Sequence, residues 1–138
     1  MAAIDDSIFE KAEPMLIHIM DEAKQYIFDF GASHHCKMVI EKQGRTSSTK
    51  RAMEFSLIVS DQLRFDFQTE LYYAGGDFYY NIWVEVRMDS NKLSAICDGV
   101  IYCSNEHYDG YHNAIKEACQ KCLDKYNEMH KHLANYFF

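Results

Sequence analysis

Apolar and polar positions change their spacing twice along the chain. Leu16, Met20, Ala23 and Ile27 recur at +4, +3 and +4, flanked by Ile19, Tyr26 and Phe30. At 3.6 residues per turn, that spacing lays one greasy stripe along an α-helix. Ser7-Ile-Phe-Glu10 has the form of a capping box, but Pro14 would interrupt a helix that started there. The helix is therefore predicted to begin near Pro14 and to stop at Gly31.

Between residues 36 and 103 the period falls to two, as in strands with one buried face. Leu63, Phe65, Phe67, Thr69, Leu71 and Tyr73 point one way, and Arg64, Asp66, Gln68, Glu70 and Tyr72 the other. Phe78, Tyr80, Ile82, Val84, Val86 and Met88 then alternate with Tyr79, Asn81, Trp83, Glu85 and Arg87. Gly75-Gly76 between the two runs supplies the positive φ values of a primed two-residue turn, which makes partner numbers sum to 151. Arg64 then faces Arg87 and Asp66 faces Glu85, each like pair relieved diagonally by the other. The same parity pairs Met53 to Val59 back through Ser60-Asp-Gln62. It also carries Leu93 to Ile101 through Asp89-Ser-Asn-Lys92, with partner numbers summing to 181. Lys37 to Lys42 is the expected first strand.

After an expected loop from Ser104 to Gly110 the period lengthens again. Ile115, Cys119, Cys122, Tyr126, Met129, Leu133 and Tyr136 form a heptad seam. The expected fold is a single α+β domain over residues 1–138, with an N-terminal helix, a five-stranded antiparallel meander and a long C-terminal helix. Both helices pack on one sheet face. Part of the seam, Met129, Leu133 and Tyr136, is also a candidate interface, so a homodimer is expected.

Composition narrows the function. The chain has 138 residues, a net charge of −7 and 48% hydrophobic residues, which excludes disorder and disfavours a polyanionic main partner. The acidic amino terminus does not resemble a signal peptide, and no apolar run could span a membrane. The five cysteines are odd in number and lack the spacing of a secreted framework, so they are read as reduced thiols in the cytoplasm, or in a host cytosol if the chain is phage-encoded.

Motifs for chemistry are weak. Cys119-Gln-Lys-Cys122 lies on the apolar seam, inside a helix rather than at its start, which favours packed thiols over redox chemistry. His130 is about 16 Å further along that helix, too far to close a zinc site. His34-His35-Cys36 and His130-Lys-His132 lack a carboxylate at helical spacing, so no metal and no cofactor is expected. No nucleophile elbow or phosphate-cradling loop is present. Gly75-Gly-Asp-Phe78 resembles the diguanylate cyclase signature, but the further acid before the Phe is missing and a hairpin turn accounts for the glycines. The element order resembles that of double-stranded RNA binding domains, without their basic helix start. Acidity and size are similar to those of secretion chaperones, bacterial immunity proteins and phage-encoded inhibitors of host defence.

Two surface features remain. Lys37 to Arg51 carries a net +4, and its Lys42, Arg45, Lys50 and Arg51 are candidate anion-binding residues on a flexible loop. On the non-core sheet face, Tyr72, Tyr79, Trp83 and Tyr102 are expected to cluster, with Asp98 beside Trp83. The expected function is a non-catalytic protein-binding module, most concretely a small acidic inhibitor or adaptor that occupies a partner's surface. A basic cleft of a nucleic-acid enzyme, as in anti-defence proteins, is the example. The alternative is a binder of a nucleotide, a small molecule or single-stranded nucleic acid through residues 37–51 and the sheet aromatics.

Overall fold

The structure is a computed structural model. It describes the backbone of residues 2–88 and 99–137 and the side chains of 7–88 and 99–129. Helix α1 (Ala2–Ser33) is followed by strands β1 (Lys37–Ser47), β2 (Lys50–Ser60), β3 (Leu63–Ala74), β4 (Asp77–Met88) and β5 (Gly99–His107). A short 3-10 turn (Tyr108–Gly110) leads into helix α2 (Tyr111–Phe137). The strands form one antiparallel sheet in the order β1-β2-β3-β4-β5, the predicted meander. Leu16, Met20, Ala23 and Ile27 of α1, Ile115, Ala118 and Cys119 of α2, and the inward rows of β2, β3 and β4 share one core. Each fully buried aliphatic or aromatic side chain there stabilises the fold by about 1.5–3 kcal/mol.

Helix α1 starts earlier than Pro14, which lies inside it. Phe9 explains this: it continues the apolar stripe seven residues before Leu16, is completely buried, and meets Phe78 at 6.5 Å between ring centroids. Its burial offsets the hydrogen bond that the proline removes, on a stretch where Pro14 itself is exposed. At the other end, the amide of Cys36 donates to Gly31 O at 2.7 Å, and His35 takes the left-handed conformation at φ 59°. Gly31 is required by closeness rather than by φ: a Cβ there would lie 3.2 Å from Cys36 O and 3.3 Å from Leu57 Cδ2.

The β3–β4 register is the one read from the sequence, with Phe65 opposite Val86, Phe67 opposite Val84 and Tyr72 opposite Tyr79. Gly75 and Gly76 take φ of 60° and 94°, as a primed turn demands. Two strands depart from expectation. β1 runs on to Ser47, so the basic segment is a β-hairpin turning at Ser48-Thr49 and not a loop. β5 runs to His107, into residues expected to be loop, and its register on β4 is five positions away from the predicted one: Tyr79 faces His107 and Val84 faces Tyr102. An odd slip exchanges the faces. The predicted strand segment Leu93–Cys97, its turn at Asp89–Lys92 and Asp98 lie outside the described residues.

Inside the core, the Tyr111 hydroxyl donates to Thr69 Oγ1 at 2.9 Å, and Thr69 donates onward to Met53 O at 3.3 Å. This chain satisfies Thr69, a polar residue buried in an otherwise apolar row. Burial of the Tyr111 ring raises its pKa well above the ordinary tyrosine value.

Candidate functional site

Both helices sit on one side of the sheet, and the other side is uncovered among the described residues. Strand parity places Arg64, Asp66, Gln68, Glu70 and Tyr72 of β3, and Tyr79, Asn81, Trp83, Glu85 and Arg87 of β4, on that side. β2 contributes short side chains. Ala52 and Ser56 are only 7% and 1% exposed although no helix covers them, because longer neighbours stand over them. The face is thereby hollowed. A depression of about 230 Å³ is bounded by Glu41, Glu54, Arg64, Asp66, Trp83 and Arg87. A second, of about 120 Å³, adjoins it around Ala52, Glu70 and Asn81.

A polar network holds the first hollow in shape. The Ser56 hydroxyl donates to Asp66 Oδ1 at 2.6 Å, with Glu41 Oε1 a longer alternative at 3.2 Å. Asp66 also receives Arg87 Nε at 2.8 Å and Arg64 Nε at 3.3 Å. Arg87 reaches Glu85 at 3.4 Å, and the other oxygen of Glu85 accepts the Trp83 indole N–H at 2.8 Å. Trp83 is consequently held in one orientation while 39% exposed. Glu54, which lines both hollows, and Glu70, which lines the second, make by contrast no ion pair among the described residues.

Towards the Gly75-Gly76 turn the face becomes aromatic. Tyr72 and Tyr79 lie 5.9 Å apart, and His107 meets Tyr79 edge-on at 6.0 Å. The Tyr72 hydroxyl donates to Asn105 Oδ1 at 2.8 Å, and Lys50 Nζ stands 5.9 Å from the Tyr72 ring centre. His107 bridges Asp77 at 3.1 Å and Asp109 at 3.0 Å. The Asp77 carboxyl is held below its ordinary pKa, first by the Phe78 backbone amide and then by His107. Both tyrosines are half-buried. Asn105 and His107 were missed by sequence reasoning because their segment was read as loop. Ser56 and Glu41 were missed because alternation marks sides but not depth.

Tyr102 does not belong to this surface. The β5 register puts it opposite Val84 on the helix side, where its hydroxyl donates to Glu117 Oε2 at 3.1 Å. Burial, followed by Glu117, pushes its pKa up to about 12. Cys103 takes the place opposite Trp83 that had been expected for Asp98.

The basic segment is divided between the two sides of the sheet. Arg45 points to α1, where it grips Glu13 with two contacts of 2.8 and 3.0 Å and covers the Phe9 ring at 5.2 Å. This bidentate bond from Arg45 holds the Glu13 carboxyl below its ordinary pKa. Arg51, opposite Arg45 in the ladder, shares that helix side. Lys42 and Lys50 lie opposite Glu54 and Tyr72 on the outer side. The four cations therefore do not converge on one anion site.

The described part of the α2 seam is filled within the chain except at Tyr126, which is 37% exposed. Ile115, Cys119, Cys122 and Met129 are at most 2% exposed, so Met129 is not available to a second copy. The side chains of His130, His132, Leu133 and Tyr136 lie outside the described residues. Burial raises the Cys119 thiol to about 12 and the Cys122 thiol well above its ordinary value. Among the described residues no three His, Cys, Asp or Glu side chains are grouped to hold a metal ion, and no helix is long and apolar enough to cross a membrane. No protein-family model matches the chain, and neither the curated proteins nor the solved structures contain a significant match to it.

Proposed function

We propose that this chain is a non-catalytic binding protein whose uncovered sheet face docks on a basic surface of another protein. The observation that carries the reading is Trp83. It is the large aromatic at the centre of the uncovered face, bonded to Glu85, still accessible, and set beside a hollow bordered by four acids, Glu41, Glu54, Asp66 and Glu85, against two arginines, Arg64 and Arg87. Rigid aromatic anchors with a polar surround dominate binding energy at protein interfaces. A guanidinium or ammonium group entering the hollow would meet the Trp83 ring and the carboxylates of Glu41 and Glu54, a favourable cation–π and ionic environment. The net charge of −7 would steer the chain toward such a surface.

The most concrete version is an inhibitor or adaptor that covers a basic cleft, such as one that otherwise holds nucleic acid. An arginine-rich peptide is the direct probe. It should quench Trp83 fluorescence saturably and bind more weakly as salt rises. Trp83→Phe and Glu54→Gln should each weaken binding about tenfold. Equal affinity for wild type and Glu54→Gln would overturn the reading.

A further inference from the structure

A second hollow lies on the helix side, away from the sheet's outer face. It has a volume of about 290 Å³ and sits where the end of α1, the body of α2 and the ends of β2 and β3 come together. Phe30, Leu57, Val59, Phe65 and Leu123 supply apolar walls, and Tyr126 closes one side. The hollow is open to solvent at a rim of exposed residues, Ser33, His34, His35 and Asn127, over this apolar floor. We infer that this cavity is a binding site for a small, uncharged aromatic molecule that carries a hydrogen-bond donor.

Three observations set that chemistry. The first is size: at about 30 Å³ per water-sized group, the space takes about ten non-hydrogen atoms, the scale of a fused bicyclic ring. The second is charge, since no Asp, Glu, Lys or Arg is among the described residues lining the cavity. A carboxylate or ammonium group on the ligand would meet no Asp, Glu, Lys or Arg partner among them. The third is polarity. Phe30 O and Gly31 O at the end of α1 already accept backbone amides, so the group left at the rim for a ligand donor is the side-chain oxygen of the exposed Asn127. The His34 ring lies 4.5 Å from that of Phe30, extending the aromatic wall toward solvent.

Indole is a suitable probe: it is bicyclic, uncharged and has one N–H donor. Titrated into the full chain and followed by amide NMR, it should shift the resonances of Leu57, Phe65 and Leu123 saturably and raise the thermal midpoint. Indole should also slow alkylation of Cys36, a half-buried cavity residue, while alkylation of the exposed Cys103 stays unchanged. Leu123→Trp and, separately, Val59→Phe should fill the space and weaken indole about tenfold or more. Benzoate, of similar size but anionic, should fail to compete. The proposal is overturned if the shifts do not saturate or map elsewhere, if Cys36 is not protected in the wild-type chain, or if benzoate binds as well as indole.

Discussion

Arg87 and Asp66 are joined diagonally across two strands. Arg87 Nε lies 2.8 Å from Asp66 Oδ2, although the ladder sets Arg87 opposite Arg64 and Asp66 opposite Glu85. Two like-charged rungs thus become one alternating network, with Ser56 buried beneath it. Asp66→Ala removes the nearer acceptor of the Ser56 hydroxyl and leaves two arginines facing each other. It should lower stability by about 1–2 kcal/mol. Asp66→Asn, which keeps an acceptor, should cost less. Urea denaturation of the three proteins orders them, and equal midpoints for Asn and wild type would deny the charged network its role.

Removing the exposed rings of the outer face should leave the fold intact. Tyr79→Ala with Trp83→Ala touches no buried core side chain, so the loss should stay near the β-propensity range of about 1 kcal/mol per site. Affinity for a basic partner surface should fall much further. A collapse of the thermal midpoint with affinity preserved would make these rings cross-strand packing alone.

Gly31 offers a test in which local preference and packing oppose each other. An exposed helical glycine usually gains stability on replacement, by about 1 kcal/mol for alanine. Here a Cβ meets the Cys36 carbonyl at 3.2 Å and Leu57 at 3.3 Å, and the carbonyl belongs to a hydrogen-bonded turn that cannot move freely. Gly31→Val should therefore destabilise by about 1–3 kcal/mol, measured by thermal unfolding.

The Glu13–Arg45 pair should show itself in the pH dependence of stability. Arg45 lowers the folded pKa of Glu13 below its unfolded value. The resulting stabilisation is complete above the unfolded pKa and disappears as the pH falls through the lowered folded one. Glu13→Gln should lose about 0.5–1 kcal/mol at neutral pH, with the difference from wild type vanishing in acid. A difference independent of pH would point to packing.

Thiol chemistry reports on the α2 seam. Cys119 and Cys122 are buried with pKa values pushed up by desolvation, whereas Cys103 is exposed. Iodoacetamide near pH 8 should label Cys103 rapidly and the seam pair only as fast as the protein unfolds. Mass spectrometry of the peptides distinguishes them. Rapid labelling of Cys119 in the native protein would contradict the packed seam.

What could be read from the letters follows from how strongly each feature is specified locally. The Gly75-Gly76 turn has a fixed length, so counting outward from it gives all the β3–β4 pairs, including Tyr72 with Tyr79. The β4–β5 connection has no such marker. Parity carried through a short turn puts Tyr102 on the outer side, whereas the structure pairs it with Val84 on the helix side. β5 also carries Ser104, Asn105 and Glu106, polar residues that an edge strand tolerates but that resemble a loop. An extra residue between Tyr102 and Val100 shifts its register again. Pro14 misled for the opposite reason: a local rule was outweighed by the burial of Phe9 nearby. Trp83 was legible as outward-facing, but the hollow beside it comes from Ala52 and Ser56 on a neighbouring strand.

The irregular edge of the sheet has a consequence for solubility. β1 is an outer strand, and its pairing with β2 is interrupted after Ile40 and again after Arg45, with Lys37 and Lys42 exposed along it. A second copy approaching that margin would meet a bent backbone and repelling ammonium groups, so continuous strand addition and fibril growth from it are blocked. At this margin the bare sheet therefore offers a poor template for aggregation.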